Sequence, residues 1–213
     1  SIRVYNEGST DAYANEITDY IPEGLGFIMN HKTNYSNNWK VSSTDSKIVK
    51  LNTIENASNN LSISDFQGVK SLDDVDVVTG KATIKTNKLK YEEGSTENLL
   101  EAFDKNKTQL SSKVVQVACV VLTDEIPEGT IKNIAAVTQH SDANGNTDVK
   151  DRDSQPTEID ISNYPDNSNI QDDDDFEKLI LENKEYDLAL KKFLSAVEGS
   201  EIQPSRLQKV NTA

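Results

Sequence analysis

Ile131-Lys132-Asn133-Ile134-Ala135-Ala136-Val137 is the stretch on which the fold reading turns. Side chains of a β-strand alternate between two faces. Read as a strand spanning residues 130–139, this run places Ile131, Asn133, Ala135 and Val137 on one face. Similar texture extends outward from it. Residues 113–123 hold a β-branched run, with Val114, Val115, Val117, Val120 and Val121, that ends in Asp124. Residues 1–6, 14–21, 46–54 and 81–91 also alternate, and Glu7-Gly8-Ser9 and Pro22-Glu23-Gly24 supply turns. Short alternating runs with turn signals between them predict an all-β chain, a β-sandwich. One stretch departs from this. Ser95 and Thr96 precede Glu97-Asn98-Leu99-Leu100-Glu101-Ala102-Phe103, which predicts a short helix with an N-terminal cap.

Bulk composition narrows the classes of function. The chain has 213 residues, enough for a substantial core. Its 22 Lys+Arg against 36 Asp+Glu give a formal net charge of -14. That balance argues against phosphate-mediated binding of nucleic acid and against anionic membranes. Cys119 is the only cysteine, so neither an intrachain disulfide nor a cysteine-based metal site is available. No long apolar run or signal peptide is read, and the chain opens inside the strand-like run of Ile2 and Val4. It reads as a piece of something longer. No nucleophile triad, phosphate loop or zinc signature is found. His31 and His140 are far apart in sequence and are assigned no role.

The composition changes along residues 141–175, which are rich in Asp, Asn, Ser and Pro and include the acidic run Asp172 to Asp175. They read as a linker or an ordered loop. A second strand-forming block follows over 176–197, and residues 198–213 are polar. In that block Tyr186, Leu188, Leu190, Lys192 and Leu194 share one strand face. Thr18-Asp19-Tyr20-Ile21-Pro22-Glu23-Gly24 is echoed by Thr123-Asp124-Glu125-Ile126-Pro127-Glu128-Gly129, suggesting two similar strand-to-turn corners.

Three polar residues interrupt apolar rows. Asp19 lies between Ile17 and Ile21, Asn133 between Ile131 and Ala135, and Lys192 between Leu190 and Leu194. Buried polar groups need partners, and a desolvated lysine tends to lose its proton. A neutral lysine amine is a nucleophile. Attack on an asparagine carboxamide carbon, with a protonated carboxyl polarising the carbonyl and shuttling protons, would expel ammonia and leave an amide between two strands. Apolar surroundings favour this by lowering the lysine pKa and raising the aspartate pKa. Bland readings stand beside it. Asp19 is close enough to Pro22 to cap a turn. Asn133 could be a satisfied core amide, and Lys192 could extend its stem to solvent.

The runs Ile2-Arg3-Val4-Tyr5-Asn6-Glu7-Gly8 and Glu16-Ile17-Thr18-Asp19-Tyr20-Ile21-Pro22-Glu23-Gly24-Leu25 resemble the isopeptide-forming fimbrial and adhesin repeats of Gram-positive surface proteins. Ile131-Lys132-Asn133-Ile134-Ala135 resembles the late strand that carries the family's bond-forming asparagine. Asp151-Arg152-Asp153-Ser154-Gln155-Pro156 through Asp175 resembles its acidic exit loop. Tyr186-Asp187-Leu188-Ala189-Leu190-Lys191-Lys192-Phe193 resembles the first strand of a repeat, where the bond-forming lysine sits. The likeness covers both ends of the chain, while residues 30–112 match weakly and suggest a large insertion. It implies an immunoglobulin-like β-sandwich on a bacterial cell wall, Asn133 and Lys192 as bond-forming residues, and Asp19 as proton shuttle. In the family the lysine strand precedes the asparagine strand within a domain, whereas Lys192 follows Asn133 here. The resemblance therefore implies that residues 1–175 are a repeat domain lacking its first strands, with 141–175 as its exit loop. Residues 176–213 would open the next repeat, or donate a strand to a sandwich in the same chain or a neighbour.

The expected function is a structural stalk or fimbrial module of an extracellular surface protein, with neighbouring repeats as partners. The alternative is an adhesin module that binds host matrix or glycan through residues 30–112. Neither requires turnover of a substrate or a cofactor. Calcium is a further candidate. Asp142, Asn144, Asn146 and Asp148 alternate, and Asp151 and Asp153 follow, so their oxygens could wrap a hard cation. The pattern is not an EF-hand, because Gly145 is misplaced and no glutamate closes the loop. A solvated acidic linker is the competing reading.

Overall fold

The computed structural model describes residues 1–42, 46–55, 57, 60–122, 129–150, 164, 174–181, 196–197 and 200–201. The strands in chain order are β1 (Ile2–Asn6), β2 (Ala12–Ile21), β3 (Leu25–Ile28), β4 (Lys40–Val41), β5 (Lys47–Lys50), β6 (Asp76–Thr79), β7 (Ala82–Thr86), β8 (Ser111–Val115), β9 (Cys119–Val121), β10 (Gly129–Asp142), β11 (Asp174–Leu181), β12 (Ala196–Val197) and β13 (Ser200–Glu201). One short helix, α1, covers Lys32–Ser36. The chain is therefore all-β.

Two antiparallel sheets dominate. One has the order β11-β10-β2-β7-β4 and the other β5-β6-β3-β9, with β1 and β8 forming a separate ribbon. Ile17 and Ile21 of β2 and Ala82 and Ile84 of β7 pack in one core cluster with Phe27 of β3 and Val78 of β6. The main core thus lies between the two sheets, as a sandwich requires. A smaller cluster of Ile28, Leu51, Phe66, Val75 and Val77 packs apart from it. The chain divides into two compact units, Ser1–Glu182 and Asn183–Ala213. In the second unit the described residues are the short β12–β13 hairpin.

Four details correct the expectations from sequence. The helix predicted over 97–103 is absent. Leu100 instead forms an antiparallel bridge with Ala12, through Ala12 N–H to Leu100 O at 3.0 Å and Leu100 N–H to Ala12 O at 2.9 Å. Asn6 Nδ2 also donates to Leu100 O at 2.8 Å. Long-range pairing thereby takes the backbone groups that a helix would have used internally.

The run 113–123 is not one strand but splits into β8 and β9. The break at residues 116–118 is held by side chains: Trp39 Nε1 donates to Gln116 O at 2.8 Å, and the Asn34 amide pairs with both backbone groups of Ala118. Residues 30–112 are not an insertion beside the sandwich. They supply β4 and β7 to one sheet and β5 and β6 to the other; Val78, Ala82 and Ile84 join the main core cluster, while Val49 and Val77 pack with the smaller one. The boundary expected at 175/176 falls inside β11, which pairs along β10 from Gly129↔Leu181 to Ala136↔Asp174.

Close packing of the second sheet gives a direct test. A Cβ built on Gly26 of β3 would lie 2.6 Å from Val77 Cγ1 and 3.0 Å from Val120 Cγ1. Neither valine has a flexible end that could swing clear. Gly26→Ala is expected to cost about 1–3 kcal/mol, read as a lower urea midpoint at unchanged m.

Candidate functional site

The site grows from the pairing of β2 with β10. Asp19 pairs with Ala135 on one side and with Ile84 of β7 on the other, which makes β2 a central strand. Its neighbours on the same face, Ile17 and Ile21, are buried in the main core. Asp19 follows the alternation inward and is 0% exposed. Asn133 stands two residues before Ala135 on β10, so its side chain projects from the same face. Its Nδ2 donates to Asp19 Oδ1 at 2.8 Å.

This hydrogen bond uses only half of each group. Among the described residues, the buried Asp19 Oδ2 and Asn133 Oδ1 have no hydrogen-bond partner. Leaving a buried polar atom unpaired costs roughly 1–3 kcal/mol, so two at one point mark an incomplete arrangement. Burial pushes the Asp19 carboxyl up to about 7, against the opposing pull of the Asn133 hydrogen bond. The carboxyl therefore holds and releases its proton near neutral pH, as a proton shuttle must.

Cys119 of β9 faces this pair from the opposite sheet. The residue as a whole is only partly buried, but it packs against the main core cluster. Its thiol is pushed up to about 12, first by burial and then by the nearby Asp19 carboxylate. It is thus a protonated, inert thiol rather than a nucleophile. Sequence reading missed this neighbour. The parity of Cys119 within its strand was legible, but the facing of β9 toward Asp19 was not.

The other face of the same strands carries a second polar group. Glu16 Oε1 accepts from Thr138 Oγ1 at 2.8 Å and from Lys85 Nζ at 3.2 Å, and the hydroxyls of Thr18 and Thr138 lie 2.8 Å apart. These groups satisfy one another. Their contrast with the incomplete Asp19–Asn133 pair singles out the latter.

The third predicted member, Lys192, lies outside the described residues. Of the calcium candidates, Asp142 ends β10 and folds its carboxylate over the following turn. Its Oδ1 accepts from Asn144 N–H at 2.8 Å and Asn146 N–H at 2.9 Å, and its Oδ2 accepts from Asn146 Nδ2 at 2.7 Å. The Asn146 side chain and backbone hold the Asp142 carboxyl below its usual range. Asn144 and Asn146 act here as donors, and Asp148 is exposed. Asp151 and Asp153 lie outside the described residues. Among the described residues no three His, Cys, Asp or Glu side chains gather at one point.

The fold and the pair together define a class: an all-β sandwich with a carboxyl and a carboxamide locked together in its core. Searched against protein-family models, curated proteins and solved structures, the chain matches none.

Proposed function

We propose that this chain is a structural stalk or fimbrial module of a Gram-positive bacterial surface protein, displayed outside the cell and stiffened by a self-formed Lys–Asn isopeptide bond. The observation that carries this reading is the 2.8 Å contact of a half-buried Asn133 with a fully buried Asp19, in which Asp19 Oδ2 and Asn133 Oδ1 are buried and have no partner among the described residues. The carboxamide is held in place, and an acid with a suitable proton affinity touches it.

In the proposed reaction a neutral lysine Nζ attacks Asn133 Cγ while protonated Asp19 polarises the carboxamide. Asp19 relays the proton from the attacking amine to the leaving Nδ2. The Cγ–Nδ2 bond breaks, a Cγ–Nζ amide forms, and ammonia leaves. One amine and one carboxamide become one secondary amide and one ammonia, so no oxidant or co-substrate is needed. The event occurs once per site. Lys192, of the same or a neighbouring chain, is the proposed donor, with neighbouring repeats as the natural partners.

Intact mass and a denaturing gel test it. Purified full chain should contain species that have lost one ammonia, as monomers or covalent multimers. Asn133→Ala, Asp19→Ala and Lys192→Ala should each abolish them. Unreacted monomer alone, under every condition, overturns the proposal.

A further inference from the structure

The turn that follows β10 holds the chain's one Asn-Gly pair, Asn144-Gly145. Glycine has no Cβ to shield its nitrogen, so a preceding carboxamide can approach it with little hindrance. Asn144 is exposed, which leaves that carboxamide open to water. Gly145 has φ +84°, a backbone conformation that favours glycine. A Cβ at this position would also lie 2.6 Å from Cδ1 and Cε1 of the Tyr91 ring. The fold thus demands at 145 the residue that makes Asn144 reactive.

The same turn restrains the pair. Gly145 N–H donates to Asp142 O at 3.1 Å, which ties down the nitrogen that would attack. Asp142 N–H donates to Asn146 O at 3.0 Å and closes the turn. The Asp142 carboxylate accepts from the N–H groups of Asn144 at 2.8 Å and Asn146 at 2.9 Å, so the backbone is held on both sides of Gly145. Tyr91, against which Gly145 rests, is itself fixed. Its ring packs edge-on to Tyr13 with centroids 5.3 Å apart, and its N–H donates to Asn15 Oδ1 at 2.9 Å. Closing a ring between Gly145 N and Asn144 Cγ requires the nitrogen to leave Asp142 O and the Asn144 backbone to rotate. Both motions break hydrogen bonds made by Asp142.

We propose that Asn144 is a self-modification site, converted to aspartate and isoaspartate through attack by the Gly145 nitrogen, at a rate that Asp142 restrains. Gly145 N attacks Asn144 Cγ. The N–Cγ bond forms, the Cγ–Nδ2 bond breaks, and the Gly145 amide proton passes through water to the departing nitrogen, which leaves as ammonia. Water then opens the cyclic imide. Addition at Cγ restores the ordinary backbone with aspartate at 144. Addition at the main-chain carbonyl carbon routes the backbone through the side chain instead. In sum, one carboxamide and one water become one carboxylic acid and one ammonia, and no oxidant or cofactor is needed. The new carboxylate shares the turn with Asp142 at like charge. The isoaspartate product lengthens the backbone where it rests on Tyr91. Ammonia is lost for good, so the turn loosens with the age of the protein. The step is independent of the Asn133 crosslink. Its imide has also lost one ammonia, so the two are separated by where the loss maps, not by intact mass.

The test is peptide mapping by mass spectrometry of the full chain, incubated folded in mildly alkaline buffer made with heavy-oxygen water. Wild type should gain at position 144 the mass of an aspartate carrying one heavy oxygen, divided between two products that separate on chromatography. Asn133→Ala should do the same at the same rate. Asn144→Gln should stay unmodified, because its imide ring would be one atom larger. Asp142→Ala should react roughly tenfold faster or more, the factor that one charge-assisted hydrogen bond represents. A synthetic peptide of residues 138–150 should be faster still, and it supplies the unrestrained rate if Asp142→Ala does not fold. Absence of labelled product at Asn144 over a period in which the peptide converts completely overturns the modification site. A wild-type rate equal to that of folded Asp142→Ala, or to that of the peptide, overturns the restraint.

Discussion

Replacing Asp19 with Asn should make the uncrosslinked monomer more stable at neutral and alkaline pH, with no gain in acid. The sign follows from the proton affinity. Folded Asp19 is pushed up to about 7 by burial, whereas an unfolded aspartate titrates near 3.9. Below about pH 4 both states hold the proton and Asp19 costs nothing. As pH rises toward 7 the unfolded chain releases its proton while the fold retains it. Stability then falls by about 1.4 kcal/mol per pH unit, and the loss levels off above the folded value at roughly 4 kcal/mol. Asn keeps an acceptor for Asn133 Nδ2 but carries no charge to bury. Urea unfolding of both proteins should show the gap between variant and wild type widening by roughly 3 kcal/mol from about pH 5 to about pH 8. Comparison with the variant removes the background of the other acidic groups, which titrate in both. A gap that does not change with pH would mean that Asp19 is ionised throughout. It would also remove the acid that the proposed bond needs.

Asn34→Ala is expected to cost roughly 3 kcal/mol or more, at all pH values. Asn34 is fully buried in α1. Its Nδ2 donates to Ile28 O at 2.6 Å and to Ala118 O at 2.8 Å, and its Oδ1 accepts from Ala118 N–H at 2.7 Å. The side-chain amide thus replaces a neighbouring strand at the point where β8 gives way to β9. Truncation strands an N–H and weakens two carbonyl contacts in the interior. Asn34→Asp should be at least as damaging, because a carboxylate cannot donate to either carbonyl and must be buried. Thermal unfolding would read the loss. Faster amide hydrogen exchange at Ala118 and Val120 would show that it is felt first where β9 begins. A variant within a few tenths of a kcal/mol of wild type would show that water replaces the Asn34 amide.

Strand alternation made the two core residues of the site legible. Ile17, Asp19 and Ile21 on one run, and Ile131, Asn133 and Ala135 on another, follow from a period of two that depends only on local backbone geometry. The bends were harder to read. Nothing in Val114 to Val121 announces that residues 116–118 leave the ladder, because the groups that hold them, Asn34 and Trp39, are some eighty residues away. Glu97 to Phe103 carries a sound helix-start pattern, yet Leu100 is taken by Ala12 across the chain. A short helix is marginal on its own, so one long-range bridge suffices to override it.

By itself, then, the sequence determined which faces of β2 and β10 are apolar and which polar residues interrupt them. That information is local, set by the order of side chains along an extended backbone. Only the tertiary structure decided that the two interruptions meet at 2.8 Å, that one oxygen of each has no partner among the described residues, and that β9 stands at the end of the sheet facing them. Those facts depend on register and on which sheet covers which. Both are set by pairings between distant segments, whose energies no single run of residues contains.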